Sequence, residues 1–116
     1  MSTHVIFFGW NRPVPGREQQ AGDHFQEFIQ YLSGLQQSGA IDSFEPVLLS
    51  LHGGDLNGFF LIRGTRQQLV DLEGTDDWLA HSTRAGLHSS GVGVVQGVTG
   101  EGVMQWMELW QGLISA

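Results

Sequence analysis

The segment VIFFGW, residues 5–10, is an almost unbroken run of β-branched and aromatic side chains, and the segment NRPVPG after it, residues 11–16, is rich in proline and glycine. A short apolar run bounded by turn formers is typical of a buried β-strand that leads into a loop. From residue 17 to residue 37 the apolar side chains recur every three or four positions, which predicts one face of an amphipathic helix. Ser38-Gly39 predicts the end of that helix.

A hairpin is predicted next. Residues 40–51 form an apolar segment that contains Pro46, and residues 59–62 read FFLI. The linker between them, residues 52–58, is dense in turn formers and includes an Asn-Gly step. Because proline cannot donate a hydrogen bond to a sheet, the strand that carries Pro46 is expected at a sheet edge or at a bulge.

Two further helices and a strand complete the pattern. Thr65 and Gln68 form a capping box for a short helix to about residue 72, and Thr75 caps a second helix that reaches about residue 88. Valines within residues 91–98 predict a strand, and apolar residues at helical spacing within 103–114 predict a terminal helix. The order β-α-β-β-α-β plus a C-terminal helix predicts a ferredoxin-like α+β fold, with an antiparallel four-stranded sheet, in a single domain over residues 1–116. In that order the strand with Pro46 lies at an edge.

Side-chain alternation divides each central strand into two faces, and both faces are apolar. We expect the smaller set to pack against the helices: Val5, Phe7, Gly9, Phe60, Ile62, Gly93, Val95 and Gly97. We expect the larger set to form a second, open face: His4, Ile6, Phe8, Trp10, Phe59, Leu61, Arg63, Val92, Val94, Gln96 and Val98. Because a solvated face should be polar, the second face needs a cover.

The simplest cover is the same face of a second copy. The order of elements, the apolar second face, and residues 94–101, VVQGVTGE, leading into a last helix together resemble the dimeric α+β barrel superfamily. The resemblance implies a homodimer in which two sheets pack face to face, with a pocket in each subunit. Members of that superfamily include cofactor-independent monooxygenases, haem-dependent enzymes, isomerases and many proteins of unknown activity, so the fold alone does not name a function.

The composition of the chain limits the classes of partner that we expect the protein to bind. Twelve acidic residues against five basic ones, all arginine, give a net charge of −7, which disfavours nucleic acid and anionic membranes. The absence of cysteine excludes disulfides and thiolate chemistry. The N-terminal apolar run lacks a basic region and is too short for a signal peptide or a membrane span, so a cytoplasmic location is expected.

Polar side chains on the expected open face are the first candidates for a site, because an ionisable group among apolar neighbours needs a partner or a ligand. His4 is a candidate proton donor and acceptor, with a frayed-terminus histidine as its alternative. Arg63 is a candidate anchor for an anionic group, and an ion pair with Glu45 across the hairpin is the alternative. Phe8, Trp10, Gln96 and Glu45 complete the predicted ligand-binding set, although packing also explains the two aromatic residues.

The other histidines give weaker signals. His52 lies beside Asp55 in a loop and is a second candidate catalytic residue, although a plain turn is the commoner explanation for such a segment. His81 and His88 are two helical turns apart, about 10 Å, which is too far to bind one ion, and adding His24 gives no recognised metal spacing. We therefore expect no metal and no cofactor, with haem left open by the resemblance.

Two hypotheses remain from the sequence. The first is a homodimeric α+β-barrel protein that binds or transforms a small apolar or aromatic molecule in a pocket on the open sheet face. The second is a non-enzymatic dimeric accessory or interaction module without a ligand, in which the open face serves only for dimerisation. Trp106 and Trp110, one turn apart on the terminal helix, are expected to anchor that helix to the body of the domain or to a partner subunit.

Overall fold

A computed structural model describes residues 2–115 and confirms the predicted α+β order. Each long strand and helix falls where its sequence pattern places it, and a short two-stranded ribbon is added. The elements are β1 His4–Trp10, β2 Arg12–Pro13, α1 Glu18–Ser38, β3 Ser43–Leu48, β4 Gly58–Gly64, α2 Arg66–Glu73, α3 Asp76–His88, β5 Ser89–Ser90, β6 Gly93–Val98 and α4 Glu101–Ser115.

Local sequence signals set the helix ends. Thr65 and Gln68 form the predicted capping box of α2, and the Thr75 side chain accepts a hydrogen bond from the backbone N–H of Trp78 at the start of α3. Gly39 ends α1 with a φ of 80°, a left-handed conformation that glycine adopts without steric cost. The starts of α2 and α3 are therefore set by threonine side chains, and the end of α1 is set by a glycine conformation.

The main sheet has the order β3-β4-β1-β6 and is antiparallel throughout. Strands β1 and β4 are central, and β3, which carries Pro46, lies at an edge, as predicted. The ribbon formed by β2 and β5 was not predicted from the sequence. It ties the loop after β1 to the end of α3, since the backbone N–H of Val14 donates to the carbonyl of His88 at 2.8 Å.

The predicted face assignment is wrong for β1 and β6 and correct for β4. Ile6 pairs with Ile62, and Phe8 pairs with Phe60 and Val94, so these side chains share one face. That face lies against the helices and is the core, where the Phe8 ring packs against rings from α1 and α3 in tilted and edge-to-face geometry. Aromatic rings on the helices need large partners on the sheet, whereas we had expected small residues there.

The open face of the sheet is correspondingly different from the predicted one. It carries the side chains that point to the same side of the sheet as Phe7. Val95 is exposed, and the others are partly exposed: Val5, Phe7, Val47, Phe59, Leu61 and Arg63. Phe7 and Phe59 stack with their ring centroids 4.9 Å apart. An apolar open face is therefore present, but Ile6, Phe8, Trp10, Val94 and Gln96 do not belong to it.

Helix α4 leaves the body of the domain instead of packing on it. Its start is held at Gly102, which is buried and closely approached by the backbone of Thr3. Beyond that point its side chains are exposed, including Trp106 at 60% and Trp110 at 55%. The two tryptophans were expected to anchor α4 either to the body of the domain or to a partner subunit. Their exposure excludes the body of the same subunit. Within residues 2–115 no helix combines the length and apolarity needed to cross a membrane.

Candidate functional site

A cavity of about 430 Å³ lies between the sheet and the helices. Aromatic side chains from both layers form much of its wall: Phe8, Trp10, Phe25, Phe28 and Phe60. Trp10 has its ring 5.6 Å from that of Phe60 and 6.0 Å from that of Phe25, so the aromatic wall is continuous. The exposed residues Pro13, Glu18 and Leu48 also border the cavity, which places its opening on their side.

Three histidines and a serine form a continuous chain of hydrogen bonds at this cavity. His24 Nδ1 is 2.7 Å from His88 Nε2, and His24 Nε2 is 2.9 Å from His81 Nδ1. His88 Nδ1 is 2.9 Å from Ser89 Oγ. His24, His88 and Ser89 line the cavity, whereas His81 is not part of its wall. We call the series Ser89–His88–His24–His81 the imidazole chain.

Helix geometry explains how the chain is assembled. His81 and His88 are seven residues apart on α3 and therefore lie on one face, two turns apart. His24 is four residues before Phe28 and eight before Leu32, on the buried face of α1. Packing of α1 against α3 inserts the His24 ring between the other two, stacked on His81 at 5.2 Å and perpendicular to His88 at 5.0 Å.

The environment keeps the chain neutral. Burial, together with the nearby positive charge of Arg84, lowers the pKa of His24 from 6.5 to about 4. Burial and Arg84 lower the pKa values of His81 and His88 as well. Arg84 is itself paired with Glu27 at the surface. At pH 7 all three rings are therefore neutral, and each has one nitrogen that donates and one that accepts a hydrogen bond.

The predicted ligand-binding residues are divided between three places. Phe8 and Trp10 line the cavity, although from the helix side of the sheet and not from the open face. Arg63 Nη2 contacts Glu45 Oε1 at 2.7 Å, which is the cross-hairpin ion pair considered as an alternative, and this pair lies outside the cavity. Gln96 donates to the carboxylate of Glu73, also outside it.

The two predicted catalytic candidates, His4 and His52, do not line the cavity. His4 Nδ1 lies 2.8 Å from Thr3 Oγ1 at the start of β1. His52 Nε2 is 2.7 Å from the carbonyl oxygen of Leu56, and His52 Nδ1 accepts from the backbone N–H of Gly54, so both of its nitrogens serve the loop itself.

Sequence reasoning missed His24, His88 and Ser89 as members of a common site. One signal was present: His24 shares the four-residue spacing of Phe28 and Leu32, so its placement on the core face of α1 could have been inferred. The contact between α1 and α3, which brings His24 to His81 and His88, could not have been inferred from the sequence. Within residues 2–115 no group of three or more His, Cys, Asp or Glu side chains is arranged to hold a metal ion. The chain nitrogens face one another instead.

The sheet order and the two crossovers define a ferredoxin-like α+β domain with a cavity between its layers. Solved structures confirm this fold class. A dimeric protein of unknown function with a ferredoxin-like fold from Bacteroides fragilis NCTC 9343 aligns with a TM-score of 0.59 at 12% identity, over 83% of this chain and 96% of its own.

Two further structures are of proteins with a named family or activity. An ethyl tert-butyl ether d (EthD) family protein from Bacillus halodurans C-125 aligns with a TM-score of 0.59 at 11% identity, over 82% of this chain and 96% of its own. SnoaB, a cofactor-independent oxygenase from Streptomyces nogalater, aligns with a TM-score of 0.51 at 14% identity, over 84% of this chain and 92% of its own. These likenesses establish the fold, in agreement with the resemblance to dimeric α+β barrels. No protein-family model and no curated protein matches the chain.

Proposed function

We propose that this protein is a homodimeric enzyme that binds a small aromatic molecule in the cavity and exchanges a proton with it through Ser89 and His88. The observation that carries this proposal is the position of the imidazole chain, which begins in the wall of a cavity that is otherwise largely aromatic. A pocket with apolar walls and a few convergent polar groups is the usual form of a small-molecule site.

The cavity wall favours a planar apolar ligand with one polar group. Rings such as those of Trp10 and Phe25 attract a second aromatic ring through stacking and edge-to-face contacts. Among the polar lining residues, Glu18 and Gln26 are exposed, whereas His24, His88 and Ser89 are buried. A hydroxyl or carbonyl group on the ligand would therefore be oriented towards Ser89.

The chemistry follows from the neutral state of the chain. A neutral imidazole hydrogen-bonded to a hydroxyl can accept a proton through it, and in an apolar site that transfer is not weakened by competing water. Such proton removal from a hydroxyaromatic compound requires no metal or redox cofactor from the protein. The description of SnoaB as a cofactor-independent oxygenase is in keeping with this class of chemistry on the same fold.

We propose that haem is not required. Both nitrogens of His24 and both nitrogens of His88 are within hydrogen-bond distance of protein partners. An iron ligand at either ring would have to break the chain. Absorbance of the purified protein in the Soret region tests this directly, and a stoichiometric Soret band would contradict it.

The homodimer is supported by the open face of the sheet. Phe7, Phe59 and Leu61 leave part of their apolar surface in contact with water, and burial against a second copy recovers about 25 cal/mol per Å². The descriptions of related folds as dimeric support the same assembly. The exposed apolar side chains of α4 add surface that a partner subunit would cover.

Ligand binding is tested by thermal shift with 1-naphthol and 2-naphthol, using two matched tryptophan variants. Ala21 lines the cavity, so Ala21→Trp is expected to fill it and abolish the shift. Ala80 is exposed on α3 and outside the cavity, so Ala80→Trp is expected to retain the shift. The absence of a shift in the wild-type protein across an aromatic panel, combined with a stable dimer, would favour the non-enzymatic interaction module.

A further inference from the structure

The imidazole chain extends beyond the cavity. His81, its outer member, is only partly buried and packs against Tyr31 with the ring centroids 4.3 Å apart and the rings tilted by 32°. Its Nδ1 is occupied by His24, and Nε2 is the ring atom left to continue the chain outward. The chain therefore connects the buried hydroxyl of Ser89 with a histidine near the protein surface.

The imidazole chain has only two arrangements in which every ring is neutral and every hydrogen bond of the chain is formed. Each N···N contact needs one N–H and one lone pair, so the orientation of one ring fixes the orientation of the next. In the outward arrangement, Ser89 donates to His88 Nδ1, and His88 and His24 each donate from Nε2. In the inward arrangement, His81 and His24 donate from Nδ1, and His88 Nδ1–H donates to Ser89 Oγ.

The two arrangements present different groups to the cavity. In the outward arrangement the Ser89 hydrogen is used by His88, so its oxygen lone pairs are left to accept from a ligand hydroxyl. In the inward arrangement Ser89 accepts from His88, so its own hydrogen is left to donate to a ligand carbonyl. A protonated His81 carries hydrogen on Nδ1 and is compatible only with the inward arrangement.

We infer that the chain is a proton relay between the cavity and the surface, and that the protonation of His81 determines whether Ser89 accepts from or donates to the bound aromatic molecule. This inference rests on the proposed function. His81 acts as a positioning residue, since it does not line the cavity.

The relay moves one proton from the ligand to solvent and leaves every member of the imidazole chain neutral. A ligand hydroxyl passes its hydrogen to Ser89 Oγ, Ser89 passes its own to His88 Nδ1, His88 passes the Nε2 hydrogen to His24, and His24 passes its Nε2 hydrogen to His81 Nδ1. His81 is then an imidazolium and releases its Nε2 hydrogen to solvent. The ligand becomes an oxyanion, and the chain changes from the outward to the inward arrangement.

The charges around the chain place the positive charge at its outer end. Burial and Arg84 lower the pKa of His81, and the carboxylates of Asp77 on α3 and Glu27 on α1 partly offset that lowering. His24, in the middle, is 3% exposed and resists protonation more strongly. Arg17, Asp23, Glu27 and Arg84 surround the outer side of His88.

The test uses nitrogen-15 NMR of histidine-labelled protein without a ligand, from pH 8 to pH 5. In the wild-type protein we expect the His88 signals to move to the Nδ1–H tautomer in step with protonation of His81. In His81→Phe, which keeps a ring beside Tyr31, the His88 tautomer should not change over that range. The control His52→Gln removes a histidine outside the chain and should behave like wild type.

A His88 tautomer that is constant while wild-type His81 titrates would overturn the relay, as would an equal change in His81→Phe. The ligand step is separate: 1-naphthol should bind more weakly at pH 5.5 than at pH 8, by at most about tenfold because burial and Arg84 hold the pKa of His81 below 6.5, and 1-tetralone, which only accepts, should not lose affinity. If the tautomers are coupled but neither compound binds, the relay stands and the proposed ligand class fails.

Discussion

Acid should destabilise this protein through His24, and the substitution His24→Gln should remove most of that effect. The wild-type ring is 3% exposed and has a pKa of about 4, against 6.5 when it is solvated. The unfolded chain therefore binds more protons than the folded chain below pH 6.5, so stability is present above that pH and is lost as the pH falls towards 4. Glutamine can donate and accept hydrogen bonds but does not titrate.

The size of the effect follows from the two pKa values. Between pH 7.5 and pH 5 a fully expressed shift corresponds to about 2 kcal/mol, and partial hydration of the protonated ring reduces this to roughly 1–2 kcal/mol. At pH 7.5 the variant should be less stable than wild type by about 1 kcal/mol, because an amide cannot reproduce the geometry of both imidazole contacts. The two stability curves are thus expected to cross between pH 5 and pH 6.5.

Urea unfolding followed by tryptophan fluorescence at pH 7.5, 6.5, 5.5 and 5.0 measures these differences. His52→Gln is the matched control, because the same substitution in an exposed loop should leave the pH dependence of wild type unchanged. If wild type and His24→Gln lose the same free energy of unfolding between pH 7.5 and pH 5, His24 is not held neutral by the fold and the argument for a neutral chain is refuted.

Three further substitutions test the sheet, the cavity wall and a helix. Leu61→Glu on the open face should convert the proposed dimer to monomers in analytical ultracentrifugation, while the same change at Leu79, 63% exposed on α3, should not. Gly58→Ala would place a methyl group 2.5 Å from the Trp10 ring, so we expect that ring to be displaced and naphthol affinity to fall at least tenfold in calorimetry. Gly34→Ala, where the added carbon meets no neighbour, should stabilise α1 by about 0.5–1 kcal/mol in urea unfolding with unchanged affinity.

The elements of this fold could be predicted because their signals are local. A capping box such as Thr65–Gln68, a glycine stop at Gly39 and a proline at an edge strand each act within a few residues of the chain. The faces of the sheet could not be assigned in the same way, because both are apolar. Their identity depends on the register that pairs Ile6 with Ile62, which is a contact between distant segments.

The candidate site shows the same division. Phe8 and Trp10 were predicted to form an aromatic wall on the open face of the sheet, whereas the cavity that they line is on the helix side. The imidazole chain requires the packing of α1 on α3 and the turn from α3 into β5, and neither is encoded by a local motif. His88 ends the helix and Ser89 begins the ribbon, so their adjacent side chains meet only because the chain changes direction there.

The imidazole chain also bears on whether the cavity has a function. Three buried or partly buried histidines cost stability in acid, and apolar side chains of similar size would fill the same space without that cost. The imidazole chain thus places polar groups in a core where apolar side chains would be more stable. Positions that depart from the usual packing rules in this way are where a functional site is expected. Because this network begins at Ser89 in the cavity wall, and not at a sealed core position, proton transfer with a bound molecule accounts for it better than a purely structural role does.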